Sequence, residues 1–394
     1  MAKQNKFVKY ARTSDVDTQS FYIEDDARLH LADELKSKGT RRILVVCNDM
    51  IRKLRPFDEF ANNLADAGFR LFVYSEQGEM LNDTDIEAGL KIYHEYNCDT
   101  IIAIGGTSEI DCGKLIAACV TNPVKSLTQL AGVNKLSNDI PALCTIMTEN
   151  CASSTTASAE FYDTVNRRWR MVLSAYLVPH MVVIDTELSE RISHEHAVSS
   201  AFTALCLTIE AYISPVAKLF PEFRASAINS SLIIFKNLEK FCNNTTDSFL
   251  RKQIAVAGFY AGLSTRKTGV GYAHIIMHTL IGKYGVTHGQ GLTKILLMVL
   301  EEQLGNPDTC AALAELARAS HFCSQGLSNE GAAESLIDNL RRLDQKVAVD
   351  LELPRINPDD IDSLVTEIEK EARMFVLSKD IDTKALSRIL AVFA

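Results

Sequence analysis

Short apolar runs separated by amphipathic stretches fill the first half of the chain, and the period changes in the second. Arg42–Cys47 (RILVVC), Arg70–Tyr74 and 100–104 (TIIAI) are short β-branched runs, which predict buried strands. Residues 57–67, 85–96 and about 110–120 carry apolar positions at helical spacing. The resulting β-α-β-α-β-α order implies a parallel sheet of the dinucleotide-binding type. A further strand near Leu143 leads into a Ser/Thr-rich loop, 148–158, and 181–185 (MVVID) adds another strand. From about His194 the pattern is helical almost to the end, over 197–213, 224–241, 249–265, 273–281, 292–304, 310–321, 332–347, 358–374 and 383–392. We therefore expect an α/β nucleotide-binding domain over 1–190 and an all-helical domain over 191–394, with no internal repeat.

Composition narrows the function classes. At 394 residues, two domains are the natural prior. With 47% hydrophobic and 23% charged residues, the chain reads as an ordinary globular protein. A net charge of −9 argues against nucleic acid or an anionic membrane as partner. The first twenty residues are polar and lack an apolar h-region, so no signal peptide is expected. Apolar runs such as 295–300 are too short to span a bilayer. None of the ten cysteines forms a C-x-x-C pair. Cys112, Cys119, Cys144 and Cys206 lie in apolar surroundings, as buried free thiols of a reducing cytoplasm would. Cys151, in a polar loop, is the exception.

Three of nine histidines fall in one run, GYAHIIMHTLIGKYGVTHGQG. His274 and His278 are four apart and share a helical face, and His288 follows in a glycine-rich stretch. Imidazole is the commonest metal ligand and titrates near neutral pH, so the run suggests a metal site or a proton-transfer site. A hydrogen-bonded core histidine is the plain alternative at each position. A second site is suggested by Gly105, Gly106, Thr107 and Ser108, which follow a strand and precede a helix. There, backbone amides and the helix dipole favour a phosphate. A plain turn with Thr107 or Ser108 as N-cap reads the same residues structurally. Thr148 and Ser153 lie in a polar loop after another strand, and such loops face one crevice in a doubly wound sheet.

Taken together, these residues resemble the iron-containing, or group III, alcohol dehydrogenase family, over nearly the whole chain. IIAIGGTSEIDCGK is similar to its Gly-Gly-Gly-Ser-x-x-Asp-x-x-Lys phosphate motif, keeping Gly105, Gly106, Ser108, Asp111 and Lys114. VPHMVVIDTELSERIS resembles a second segment, keeping Pro179, Asp185 and Leu188. IEAYIS, 209–214, resembles the end of the first metal-bearing helix, the histidine run resembles the second half of the metal site, and PRINPDDIDSLVTEIEKEA resembles the C-terminal region. The resemblance implies a dehydroquinate synthase-like fold and an NAD or NADP cofactor held by Gly105, Gly106, Thr107, Ser108, Asn48, Thr148, Ser153 and Leu188. It also implies a small-molecule substrate in a pocket between the domains, and a homodimer.

The departures concern the metal. The family's Asp-x-x-x-His pair aligns with Thr203 and Leu207, so only His274 and His288 remain of four ligands. Leucine cannot coordinate and threonine is a poor ligand, whereas a catalytic metal needs about three protein ligands. Iron or zinc is therefore not expected, and no spacing supports Glu210, Cys206 or His194 as a replacement. In the nucleotide loops the third glycine is Thr107, Glu149 replaces a threonine, and a ribose-binding acid aligns with Asn48. The expected function is a metal-independent NAD(P)-dependent dehydrogenase or reductase, with His278 as proton relay and His274 and His288 holding substrate. The alternative is a non-catalytic, ligand-binding relative.

Overall fold

The β-branched run Arg42–Cys47 forms the predicted strand, with every residue after the first buried. The computed structural model describes residues 10–11, 18–24, 26–78, 80–148, 152–189, 192–285, 291–347, 355–378 and 380–394. His288, Glu149 and Cys151 lie outside the described residues. The described chain divides into one unit of 10–166 with 170–192, and another of 167–169 with 193–394.

The first unit is built on strands β1 (Tyr10–Ala11), β2 (Thr18–Ile23), β3 (Arg42–Cys47), β4 (Arg70–Tyr74), β5 (Thr100–Gly105), β6 (Gly132–Val133), β7 (Ala142–Met147), β8 (Ser158–Asp163), β9 (Arg168–Leu173) and β10 (Met181–Ile184). Its helices are α1 (Leu31–Ser37), α2 (Asp49–Arg52), α3 (Arg55–Asp66), α4 (Asp83–Glu95) and α5 (Thr107–Thr121). Seven strands form one sheet in the order β1-β2-β10-β7-β5-β3-β4. All neighbours are parallel except β1 with β2. From β3 the chain steps outward to β4, then returns to place β5 on the other side of β3. That reversal is a topological switch point, and ligands bind at the carboxyl ends of such strands. Ile43, Val45, Ile102, Ile104, Ile146 and Val183 pack with Phe57, Phe60 and Leu64 of α3 to form the core there.

Five strands escaped the pattern: β1, β2, β6, β8 and β9. β2 is inserted beside β10, pairing Ser20 with Met181 through Ile23 with Ile184. β8 alternates buried and partly buried residues, begins at the last residue of the Ser/Thr-rich loop, and joins β9 and β6 in a small second sheet. β2 and β8 are mixed polar strands without a continuous apolar run, so only their partners reveal them.

A buried charge ties the first unit together. The Arg28 guanidinium is fully buried and bonds Asp185 at 2.8 Å, while the Arg28 backbone N–H donates to the same carboxylate at 3.2 Å. Glu59, Glu187 and the Pro56 carbonyl accept its remaining donors. Arg28 thus gains the charged and hydrogen-bonded partners that a buried ion needs.

The second unit contains α6 (His194–Ile213), α7 (Pro221–Asn243), α8 (Ser248–Thr268), α9 (Tyr272–Tyr284), α10 (Leu292–Gln303), α11 (Pro307–Ala319), α12 (Asn329–Val347), α13 (Ile361–Ala372) and α14 (Thr383–Ala391). Polar caps start several of them: Ser193, Asp247, Asn306 and Asp382 each accept a backbone N–H of the first turn. By length and composition α6 could cross a membrane. Yet 78% of its apolar window is buried inside the fold, as in a core helix. The described cysteines are free thiols, and all but Cys323 are buried. Burial pushes the Cys47 thiol up to about 12, so it stays protonated and is a poor nucleophile.

Candidate active site

The glycine turn lies where the switch point requires it. Gly105 ends β5 with φ 153°, a backbone conformation that favours glycine. Gly106 is the N-cap of α5, so Thr107 and Ser108 begin the helix rather than capping it. The cap is completed by Glu109, three residues on, whose Oε2 accepts from the Gly106 N–H at 2.9 Å. Glu109 Oε1 accepts from Asn48 Nδ2 at 3.1 Å, and Asn48 Oδ1 accepts from the Ile51 N–H at 2.8 Å. Both ends of the Asn48 amide are thereby engaged.

The other residues expected at the cofactor sit at varied depths. The Thr148 N–H donates to the Gly105 carbonyl at 3.2 Å, which ties the two loops together. The Ser153 hydroxyl donates to Asp111, whose other oxygen accepts from the Glu160 N–H at 2.9 Å. Lys114 is fully buried and donates to the carbonyls of Ser153, Thr156 and Ser158 at 2.5, 3.1 and 2.8 Å. Asp111 and Lys114 therefore fasten α5 to the 152–158 segment. Leu188 packs in the apolar core. Glu109 went unnoticed in the sequence, although a glutamate three residues after a cap position is the capping-box signature.

In the second unit, α9 carries His274 and His278 on one face, with ring centroids 6.1 Å apart. Its N-terminus is capped from another helix. Glu210 of α6 accepts the backbone N–H groups of Gly271, Ala273 and His274 at 3.0, 2.7 and 3.4 Å. A Cβ on Gly271 would lie 2.6 Å from the Glu210 carboxyl carbon, so only glycine admits this approach. The same carboxylate meets His274 Nδ1 at 2.5 Å. A proton on Nδ1 leaves Nε2 as the lone-pair nitrogen of the neutral ring. His278 Nδ1 lies 3.7 Å from Glu371 of α13. The Tyr272 hydroxyl accepts the Ile381 N–H at 3.2 Å, and burial raises its pKa.

Among the described residues, the positions aligned with the family's first ligand pair offer no strong metal ligand. Leu207 presents only carbon, and the Thr203 hydroxyl donates to the Ser199 carbonyl of its own helix at 3.0 Å. Glu210 is committed to the α9 N-terminus, Cys206 is a buried thiol pushed well above its ordinary pKa by desolvation, and His194 is exposed. Among the described residues, no three His, Cys, Asp or Glu side chains cluster in a way that could hold a metal.

A glycine turn at the switch point of an α/β unit and a carboxylate-held histidine in the helical unit fit more than one class of enzyme. Family models say which one: that of iron-containing alcohol dehydrogenase matches residues 18–186, and its C-terminal counterpart matches 197–390. The chain belongs to the iron-containing alcohol dehydrogenase family and is an oxidoreductase of the alcohol dehydrogenase type. Among curated relatives, it is 26% identical over 324 residues to the NAD-dependent methanol dehydrogenase of Bacillus methanolicus, covering 80% of this chain and 82% of that one. It is 27% identical over 323 residues to the 1,3-propanediol dehydrogenase of Citrobacter freundii, covering 81% and 82%. A crystal structure of 1,3-propanediol oxidoreductase shares the fold, with TM-score 0.87 and 24% identity over 95% of this chain and 97% of that one.

Proposed function

We propose that this chain is an NAD(P)-dependent alcohol dehydrogenase or carbonyl reductase that works without the metal of its family. Support for the cofactor comes from the glycine turn at the switch point and from the nicotinamide dependence named for the Bacillus methanolicus relative. The cofactor would supply hydride chemistry, and the chain's own residues would then manage the substrate oxygen.

The single observation that carries the metal-free reading is the pairing of losses and gains around α6. Two ligand positions are Thr203 and Leu207, while Glu210 on the same helix grips His274 Nδ1. A carboxylate behind the ring fixes its orientation and balances the charge of a doubly protonated imidazole. Such a ring donates a proton from Nε2 to an alkoxide oxygen as it forms. His278, one helical turn along, relays or replaces that proton. His274 thus becomes the main donor here, in place of His278.

Isothermal titration with NADH and NADPH, followed by carbonyl-dependent NAD(P)H oxidation, tests the reading. Binding of one dinucleotide with turnover supports it. Failure of both to bind sinks it.

A further inference from the structure

The carboxylate of Glu109 lies on the turn that the dinucleotide reading assigns to phosphate. It sits between the carboxyl ends of β3 and β5, bonded to Asn48 on one side and to the Gly106 N–H on the other. In a dinucleotide turn the missing Cβ lets a phosphate reach the backbone. At Gly105 that room is already taken, because a Cβ built there would lie 2.5 Å from Glu109 Oε2 and 2.6 Å from its Cγ. Glu109 is 9% exposed, so its carboxylate is packed into the turn instead of waving above it. Lys114, the cation of the same motif, donates to Ser153, Thr156 and Ser158.

We propose that Glu109 is a built-in anion that occupies the phosphate turn and competes with the dinucleotide pyrophosphate for it. This rests on the dinucleotide reading of that turn. A helix N-terminus and one glycine amide stabilise one negative group well, and a second beside it is repelled. Dinucleotide binding therefore requires the Glu109 side chain to leave Gly106, and Glu109 holds the affinity down.

Glu109→Gln separates charge from shape, because glutamine at this position also caps a helix. Titration of NADH, NADPH and ADP-ribose into wild type, Glu109→Gln and Glu109→Ala tests the proposal, with melting curves to verify folding. We expect both variants to bind NADH at least about tenfold tighter than wild type. ADP-ribose should gain equally, since the effect lies at the phosphates. Wild type binding NADH as tightly as, or more tightly than, both variants overturns the proposal and leaves the dehydrogenase reading intact. No binding of any of the three ligands to any of the three proteins overturns both. Should Glu109→Gln fail to fold, the comparison with Glu109→Ala decides alone.

Discussion

His274 Nδ1 lies 2.5 Å from Glu210 Oε2, with both side chains only 2% exposed. One carboxylate thereby starts α9 and orients the histidine on it. We predict that His274→Ala lowers kcat about a hundredfold or more, the usual weight of a positioned proton donor. His278→Ala should do so less severely. Steady-state kinetics with NADH and the best carbonyl substrate check both, and an unchanged kcat in His274→Ala removes it from the chemistry.

Glu210→Ala should cost stability as well as rate. It strips an acceptor from three N–H groups at a buried helix start, each expensive to leave unpaired, for a loss of about 2–4 kcal/mol in urea unfolding. Glu210→Gln retains an acceptor and should recover much of the stability but less of the rate. Equal recovery of both would assign Glu210 a structural role alone.

The family's Asp-x-x-x-His pair can be built into α6. Thr203→Asp with Leu207→His places an anion and an imidazole four residues apart on one helical face. We predict that the double variant retains ferrous or zinc ion through dialysis far better than wild type, read by elemental analysis. Wild type carrying one metal per chain would contradict the metal-free proposal.

Much of this was legible beforehand, for physical reasons. β3 and β5 announce themselves because strands buried on both faces are continuous runs of Ile and Val. Thr203 and Leu207 stand out because the resemblance places the family's Asp-x-x-x-His pair on them, at the rigid spacing of one helical face. The role of Glu210 was not: its partners, Gly271 through His274, are some sixty residues away, and such distant pairing leaves no periodic trace. β2 and β8 were hidden likewise, since a polar strand is stabilised by its neighbours more than by its own residues.

Arg28→Ala leaves the Asp185 carboxylate buried without its cation. Removing one partner of such a pair costs about 3–5 kcal/mol, so we expect a marked fall in the urea midpoint. A loss below about 1 kcal/mol, the value of a surface pair, would mean that water reaches Asp185.

A pH dependence of stability should arise at Asp163. Burial alone would raise this carboxyl, but hydrogen bonds from Asn166 and the Arg170 guanidinium bring it below its ordinary value. A depressed folded value means the stabilisation is complete above the unfolded value of about pH 4 and disappears as pH falls through the folded one. The stability gap between wild type and Asp163→Asn should therefore be wide at neutral pH and close in acid. A gap that stays constant down to pH 2 would contradict this.

The most direct measurement is carbonyl-dependent NADH oxidation by protein dialysed against chelator, with metal content determined on the same sample. We predict that the rate survives with far less than one metal per chain. A rate that vanishes on chelation and returns with ferrous or zinc ion would show instead that the chain still works through the metal of its family.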